Sequence, residues 1–217
     1  MCGIFGVIGG TRDDFLALGE RNTERGNLGF GGLFIDALHC SFRYAEPFNA
    51  SKVPTRAAPI MLGHVRAPTG GRSANVDEVH PFETADFWLA HNGLLLNATA
   101  FQAWNPIPAL KVDSLVIIGG IQQHRTAGLT TTEAIRATAE RLEGQQACWL
   151  WDKMEAALYL WRVMSPIYVS QNSARGIYFS SVKDVRALTL LEEGVIYRLG
   201  DQGFAPCGTF SYHNPYR

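Results

Sequence analysis

The chain opens with an apolar run, Cys2 to Ile8, that carries no charge and stops at Gly9-Gly10, which predicts a buried strand. Asp13 to Arg21 then places Phe15, Leu16 and Leu18 on or near one face of a helix. Gly29 to Asp36 and Leu38 to Tyr44 read as two strands around a tight turn, a hairpin. Prolines and alanines punctuate Pro47 to Pro59, which predicts a loop. Ile60 to Arg66 and Phe87 to His91 predict two more strands, separated by the glycine-rich Pro68 to Arg72 and a polar stretch.

The period then lengthens. Leu115 to Gln123 predicts a helix with Asp113 placed to cap it. Thr130-x-x-Glu133 is a capping-box signature, after which Ile135, Thr138, Ala139 and Leu142 recur at helical spacing. Beyond Gly144 the strands return at Ala147 to Trp151, Ala157 to Arg162, Ile167 to Ser170, Gly176 to Ser180 and Val195 to Leu199. Strands, two helices and strands again do not make the regular βαβ alternation of a doubly wound sheet. The order predicts an α+β protein of two mainly antiparallel sheets with helices outside them. With no repeat, low-complexity tract or long linker, residues 1–204 read as a single domain. Residues 205–217, rich in Pro, Tyr and His and without a clear period, read as a C-terminal tail.

Composition narrows the function classes. A net charge of −1 leaves no electrostatic footprint for nucleic acid or for an acidic membrane surface. No apolar run reaches the roughly 18 residues that a membrane-spanning helix needs. Thr11-Arg12-Asp13-Asp14 interrupts any stretch that could serve as a secretory signal. Cys2, Cys40, Cys148 and Cys207 have neither disulfide-scaffold density nor CxxC metal spacing. Cys40 and Cys148 sit in apolar surroundings and read as buried core thiols. These features predict a soluble, reduced, cytoplasmic protein.

Candidate chemistry starts at Cys2. With Met1 removed, this residue carries a thiol and a free α-amine, groups that titrate near ~8.5 and ~7.7–8.0. Proton transfer between them is then nearly thermoneutral, which is how an N-terminal nucleophile is activated without a histidine. The alternative is a small residue leading into a strand. Arg66, in Gly63-His64-Val65-Arg66-Ala67-Pro68-Thr69-Gly70-Gly71, offers a planar fork for a substrate carboxylate, or is a surface arginine before a loop. Asn92-Gly93 is first of all a hairpin turn, and its Asn amide and Gly N–H are also suited to a developing oxyanion. His91 needs no role beyond neutral packing. Asp113, in Lys111-Val112-Asp113-Ser114, is accounted for as a helix N-cap, and a carboxylate there also suits an α-ammonium.

Taken in order, these segments resemble class II glutamine amidotransferase domains, a branch of the N-terminal nucleophile hydrolases. Cys2-Gly3-Ile4-Phe5-Gly6 matches the family's opening motif. Glu24-Arg25-Gly26 followed by Gly29-Phe30-Gly31-Gly32 is similar to its RG…(S/A)G segment. Gly63-His64-Val65-Arg66 with Thr69 is similar to HTRWAT, and His80-Pro81-Phe82 to its HPF/H stretch. His91-Asn92-Gly93 with Asn97 matches HNGxxxN, and Asp113-Ser114-Leu115-Val116-Ile117 stands where the family has SDTEVI. Ser165-Pro166-Ile167, Phe179-Ser180-Ser181 and Leu191-Glu192-Glu193-Gly194 resemble SPL, ASD and LEEG.

The resemblance implies the Ntn-hydrolase fold, a four-layer αββα sandwich, and glutamine as substrate. It assigns Cys2 as the nucleophile, and Asn92 and Gly93 as the oxyanion donors. Arg66, Thr69 and Asp113 become substrate-binding residues, the first holding the α-carboxylate and the last the α-amine. Arg25 and Gly26 support the nucleophile. Attack by Cys2 on the side-chain amide releases ammonia and leaves a γ-glutamyl thioester, which water hydrolyses to L-glutamate, with no metal or organic cofactor. The chain departs from the pattern at Ala67-Pro68, where the family has an aromatic residue, and at Gly70, often histidine. It also leaves no space for an acceptor domain, so the expected function is a glutaminase subunit that passes ammonia to a separate synthetase or transferase. The alternatives are an amidohydrolase for another γ-glutamyl or amide substrate, or a catalytically silent regulatory subunit.

Overall fold

The computed structural model describes residues 2–67, 75–110, 112–170 and 176–214. In chain order the strands and helices are β1 (Gly3–Ile8), α1 (Arg12–Asn22), β2 (Gly29–Ile35), β3 (Cys40–Tyr44), β4 (Ile60–Arg66), β5 (Phe82–Glu83) and β6 (Phe87–His91). They continue with α2 (Ser114–Thr126), α3 (Thr131–Ala139), β7 (Gln146–Asp152), β8 (Ala157–Val163), β9 (Tyr168–Val169), β10 (Ile177–Ser180), β11 (Thr189–Leu190), β12 (Val195–Gly200) and β13 (Gly203–Thr209). The chain divides into two compact units, 1–81 with 167–190, and 82–166 with 191–217.

The first unit holds a seven-stranded sheet in the order β11-β9-β10-β1-β4-β2-β3. Its pairings are antiparallel, and β1 lies between β4 and β10, with Gly3 opposite Val65. Helix α1 starts at a capping box in which Thr11 and Asp14 bond each other's backbone. Its Phe15 and Leu18 are buried with Phe5, Val7, Phe30 and Phe34 in one core. Glycines let the rings in: a Cβ on Gly6 would lie 2.1 Å from the Phe179 ring, and one on Gly63 2.3 Å from Phe5.

The second unit holds a six-stranded antiparallel sheet, β13-β12-β8-β7-β6-β5. Helices α2 and α3 bury Leu115, Ile118, Ile121 and Ile135 with Leu150, Trp161 and Ile196. Strands β7 and β8 are buried at every position, which is why their sequences show apolar runs rather than alternation. The capping box predicted at Thr130 and Glu133 opens α3.

The strands-helices-strands order and the α+β class expected from the pattern are what the structure has. Three local readings differ. Gly203–Thr209 is a strand paired with β12, although the sequence there carries no alternation. Its outer positions are mostly exposed, so no apolar face marks it. Cys148 is buried as expected, whereas Cys40 is only half-buried at the start of β3. Asn92-Gly93 is no hairpin turn: Asn92 exchanges both backbone bonds with Ala147, at 2.8 and 2.9 Å, and the pairing runs on to Leu96 and Glu143. Among the described residues no helix is long and apolar enough to cross a membrane.

Candidate functional site

In the first unit, the residue before β1 is held from two sides. The register that sets Gly3 opposite Val65 carries Cys2 to the end of β4, where the Ala67 N–H donates to Cys2 Sγ at 3.4 Å. Arg25 Nε donates to the Cys2 carbonyl oxygen at 2.8 Å. Burial pulls the Arg25 pKa down, and the charges of Cys2 and Tyr168 act the other way. Gly26 is the seat of Ala67. A Cβ there would stand 2.4 Å from Ala67 Cα and 2.6 Å from its nitrogen. Gly3 is equally confined, because a Cβ would lie 2.8 Å from Oδ1 of the buried Asn22. Asn22 in turn donates to Leu18 O and Ser180 Oγ, and Ile4 N–H to Ser181 Oγ. The Phe-Ser-Ser segment thus anchors the strand that presents Cys2.

Arg66 ends β4 and is 9% exposed. Its Nη2 reaches Glu78 Oε2 at 2.6 Å. Glu78 closes a one-turn 3₁₀ helix, Val76–Glu78, that the Asn75 side chain caps at the Asp77 N–H. Just beyond, the buried rings of His64 and His80 lie 4.1 Å apart. Thr69 and the Pro68 to Gly70 segment lie outside the described residues, as does Met1.

In the second unit, Asn92 and Gly93 follow β6. Both main-chain groups of Asn92 are used by Ala147, so the role assigned to this residue falls to its side-chain amide. Gly93 admits no side chain: a Cβ would lie 2.0 Å from the Gln145 carbonyl oxygen and 2.6 Å from His91 Nε2. That carbonyl bonds His91 Nε2 at 3.0 Å, and His91 Nδ1 meets Ser114 Oγ at 2.9 Å. A carbonyl only accepts, so Nε2 carries a proton, and in the neutral ring Nδ1 takes the Ser114 hydroxyl proton. His91 therefore does more than pack. It ties Gln145, the residue before β7 that packs against Gly93, to the first residue of α2.

Asp113 occupies the N-cap position of α2, but its side chain makes no capping bond to a backbone N–H of the helix. One oxygen instead accepts the Leu95 N–H at 2.9 Å, and the other lies 3.4 Å from Ser114 Oγ. This bond fixes the segment after Gly93 to the start of α2. The competing donor was a loop N–H distant in sequence, which local pattern does not reveal. Asn97 closes the same segment, donating to Arg141 O at 3.0 Å and accepting from Glu143 N at 2.9 Å.

The structure thus gathers Cys2, Arg25, Gly26 and Ala67 in one unit, with Arg66 on the same strand end, and Asn92, Gly93 and Asp113 in the other. Sequence reasoning missed Glu78, Ser114 and the bonding role of His91. For Ser114 and His91 the signal was their adjacency to Asp113 and Asn92, while Glu78 carried none. Among the described residues no group of three or more His, Cys, Asp or Glu is placed to hold a metal ion.

No protein-family model matches the chain. Glutamine–fructose-6-phosphate aminotransferase (isomerizing) of Aliivibrio fischeri is 29% identical over 215 residues, 89% of this chain and 34% of that protein. The Bacillus thuringiensis enzyme of that name is 28% identical over 181 residues, covering 78% of this chain and 30% of its own length. The chain therefore spans about a third of the curated relatives it matches. Among solved structures, glutamine phosphoribosylpyrophosphate amidotransferase from B. subtilis superposes with a TM-score of 0.76 at 21% identity, over 97% of this chain and 49% of that one. A glutamine aminotransferase class-II domain protein from Silicibacter pomeroyi superposes with a TM-score of 0.66 at 17% identity, over 97% and 100%. The structural likeness shows the fold, in agreement with the Ntn-hydrolase class implied by the motifs.

Proposed function

We propose that this chain, a relative of the class II glutamine amidotransferases, hydrolyses L-glutamine to L-glutamate and ammonia with Cys2 as the nucleophile. The observation that carries the proposal is the setting of Cys2. Its sulfur faces a backbone donor, its carbonyl is fixed by Arg25, and it stands at the mouth of a central strand.

In this reading Met1 is removed and the freed α-amine takes the thiol proton. The thiolate attacks the side-chain carbonyl carbon, and the charge that develops on oxygen is held by the Asn92 amide and the Gly93 N–H. The α-ammonium returns its proton to the departing nitrogen, and the C–N bond breaks to release ammonia. The γ-glutamyl thioester left on Cys2 is attacked by water, which yields glutamate and restores the thiol. Arg66 binds the α-carboxylate, Asp113 the α-ammonium, and Thr69 completes the substrate contacts. Both strand ends gain from rigidity, since a nucleophile and oxyanion donors act only when held near their reacting positions. The chemistry needs a reduced Cys2, which suits a cytoplasmic setting. The ammonia acceptor is a synthetase or transferase function outside these residues, as the partial coverage of the relatives suggests.

The test is intact mass, ammonia release and labelling by 6-diazo-5-oxo-norleucine on one native preparation. The expected result is a mass lacking Met1, ammonia formed from glutamine, and the label on Cys2. Ammonia released at the parent rate by Cys2→Ala would refute the assignment.

A further inference from the structure

Arg66, assigned above to a substrate carboxylate, already holds one. Its Nη2 donates to Glu78 Oε2 at 2.6 Å, the short distance of a charge-assisted bond. A guanidinium grips a carboxylate two-pronged along either of two edges, Nε with Nη2 or Nη1 with Nη2, and both edges include Nη2. A carboxylate seated on Nη2 therefore blocks one edge, crowds the other and cancels the positive charge that an incoming anion would meet.

The two partners are unequally buried. The Arg66 side chain is 11% exposed and that of Glu78 33%. Arg66 is held at its strand end, whereas Glu78 can turn its carboxylate to water. Here the anion is the exchangeable member.

We propose that Glu78 is an internal competitor for the carboxylate site, displaced from Arg66 when substrate binds. The proposal rests on the reading of Arg66 as the anchor of the glutamine α-carboxylate. Glu78 then sets the threshold for occupancy: only a ligand whose own carboxylate engages Arg66 strongly enough displaces it. Ligands that do not use Arg66 are indifferent to Glu78.

The experiment is calorimetric titration with L-glutamine and with its α-carboxamide, in a Cys2→Ala background so that no turnover occurs. Glu78→Gln keeps the side-chain volume and removes the charge, and Glu78→Ala removes the competitor altogether. Thermal melts of both variants establish that they are folded. Each is expected to bind glutamine roughly two- to fivefold more tightly, the range of a partly exposed ion pair. Binding of the α-carboxamide is expected to change less than about twofold, because that ligand offers Arg66 no anion. Glutamine bound equally or more weakly by folded Glu78→Gln would overturn the proposal and make Glu78 a spectator or a support for Arg66. Arg66→Met in the same background separates the two layers. If it bound glutamine as well as its parent, the anchor reading itself would fall, whatever Glu78 does.

Discussion

Gly26→Ala is the substitution that most directly couples packing to chemistry. The added Cβ would stand 2.4 Å from Ala67 Cα and 2.6 Å from Ala67 N, both backbone atoms that no rotamer change can clear. Carbon atoms in contact sit about 3.5–4 Å apart, so Ala67 must retreat by about 1 Å. The Ala67 N–H now reaches Cys2 Sγ at 3.4 Å, within bonding range of sulfur. The retreat breaks this contact and moves the strand end that carries Arg66. Overpacking of this kind costs roughly 1–3 kcal/mol, and for a chain of this size each kcal/mol lowers Tm by about 2–4 °C. A displacement of about 1 Å near reacting groups can cost about 10²-fold in rate. Gly26→Ala is therefore expected to unfold a few degrees earlier and to lose about two orders of magnitude in glutamine-dependent ammonia release. Circular dichroism melts and a coupled glutamate assay read the two effects. A variant with parental Tm and activity would show that Gly26 does not seat Ala67 against the thiol, and the argument for Arg25 and Gly26 as supports would go with it.

Asn92→Ala is expected to lower kcat by about 10²–10³-fold with little change in KM, because an oxyanion donor acts only as charge develops. Steady-state kinetics check this, and a loss confined to KM would assign Asn92 to ground-state binding. Asp14 gives a pH signature to the first unit. Burial alone would raise its pKa, but the Thr11 hydroxyl and N–H and the Arg186 guanidinium outweigh it, and the net shift is downward. A lowered folded-state pKa means stability that is complete above the unfolded value of ~3.9 and fades as the pH falls through the folded one. Asp14→Asn should accordingly be less stable than the parent at pH ~6, and the gap should narrow toward pH ~3. Urea denaturation at the two pH values measures it, and a gap independent of pH would rule out the charge.

Much of the candidate site was readable as a list of residues. Cys2, Arg25, Gly26, Arg66, Asn92, Gly93 and Asp113 each stand in a short motif, and at the two glycines the backbone makes narrow demands. Gly93 faces the Gln145 carbonyl at a distance no side chain tolerates, and Gly26 faces Ala67 in the same way. Apolar runs marked most strands and the helices, and the Thr130–Glu133 capping box marked the start of α3, for a related reason: they report local periodicity and local hydrogen bonding. The C-terminal strand escaped because most of its side chains are solvated, and its place depends on pairing with β12 rather than on an apolar face.

Partners that meet across long sequence separation were decided only by the tertiary structure. Asn92-Gly93 has the composition of a turn, yet Asn92 pairs with Ala147 of β7 and the segment beyond it goes on bonding to Gln145 and Glu143. Asp113 has the composition of an N-cap, but the Leu95 N–H, brought up by that same pairing, takes its carboxylate. Glu78 carries no motif, and its hold on Arg66 exists because a one-turn helix delivers it to the end of β4. Local sequence therefore determined which groups are present and which backbone they need. The pairing of distant segments decided which donor each acceptor meets, since a hydrogen bond depends on the geometry of both partners and the sequence around one specifies only half of it.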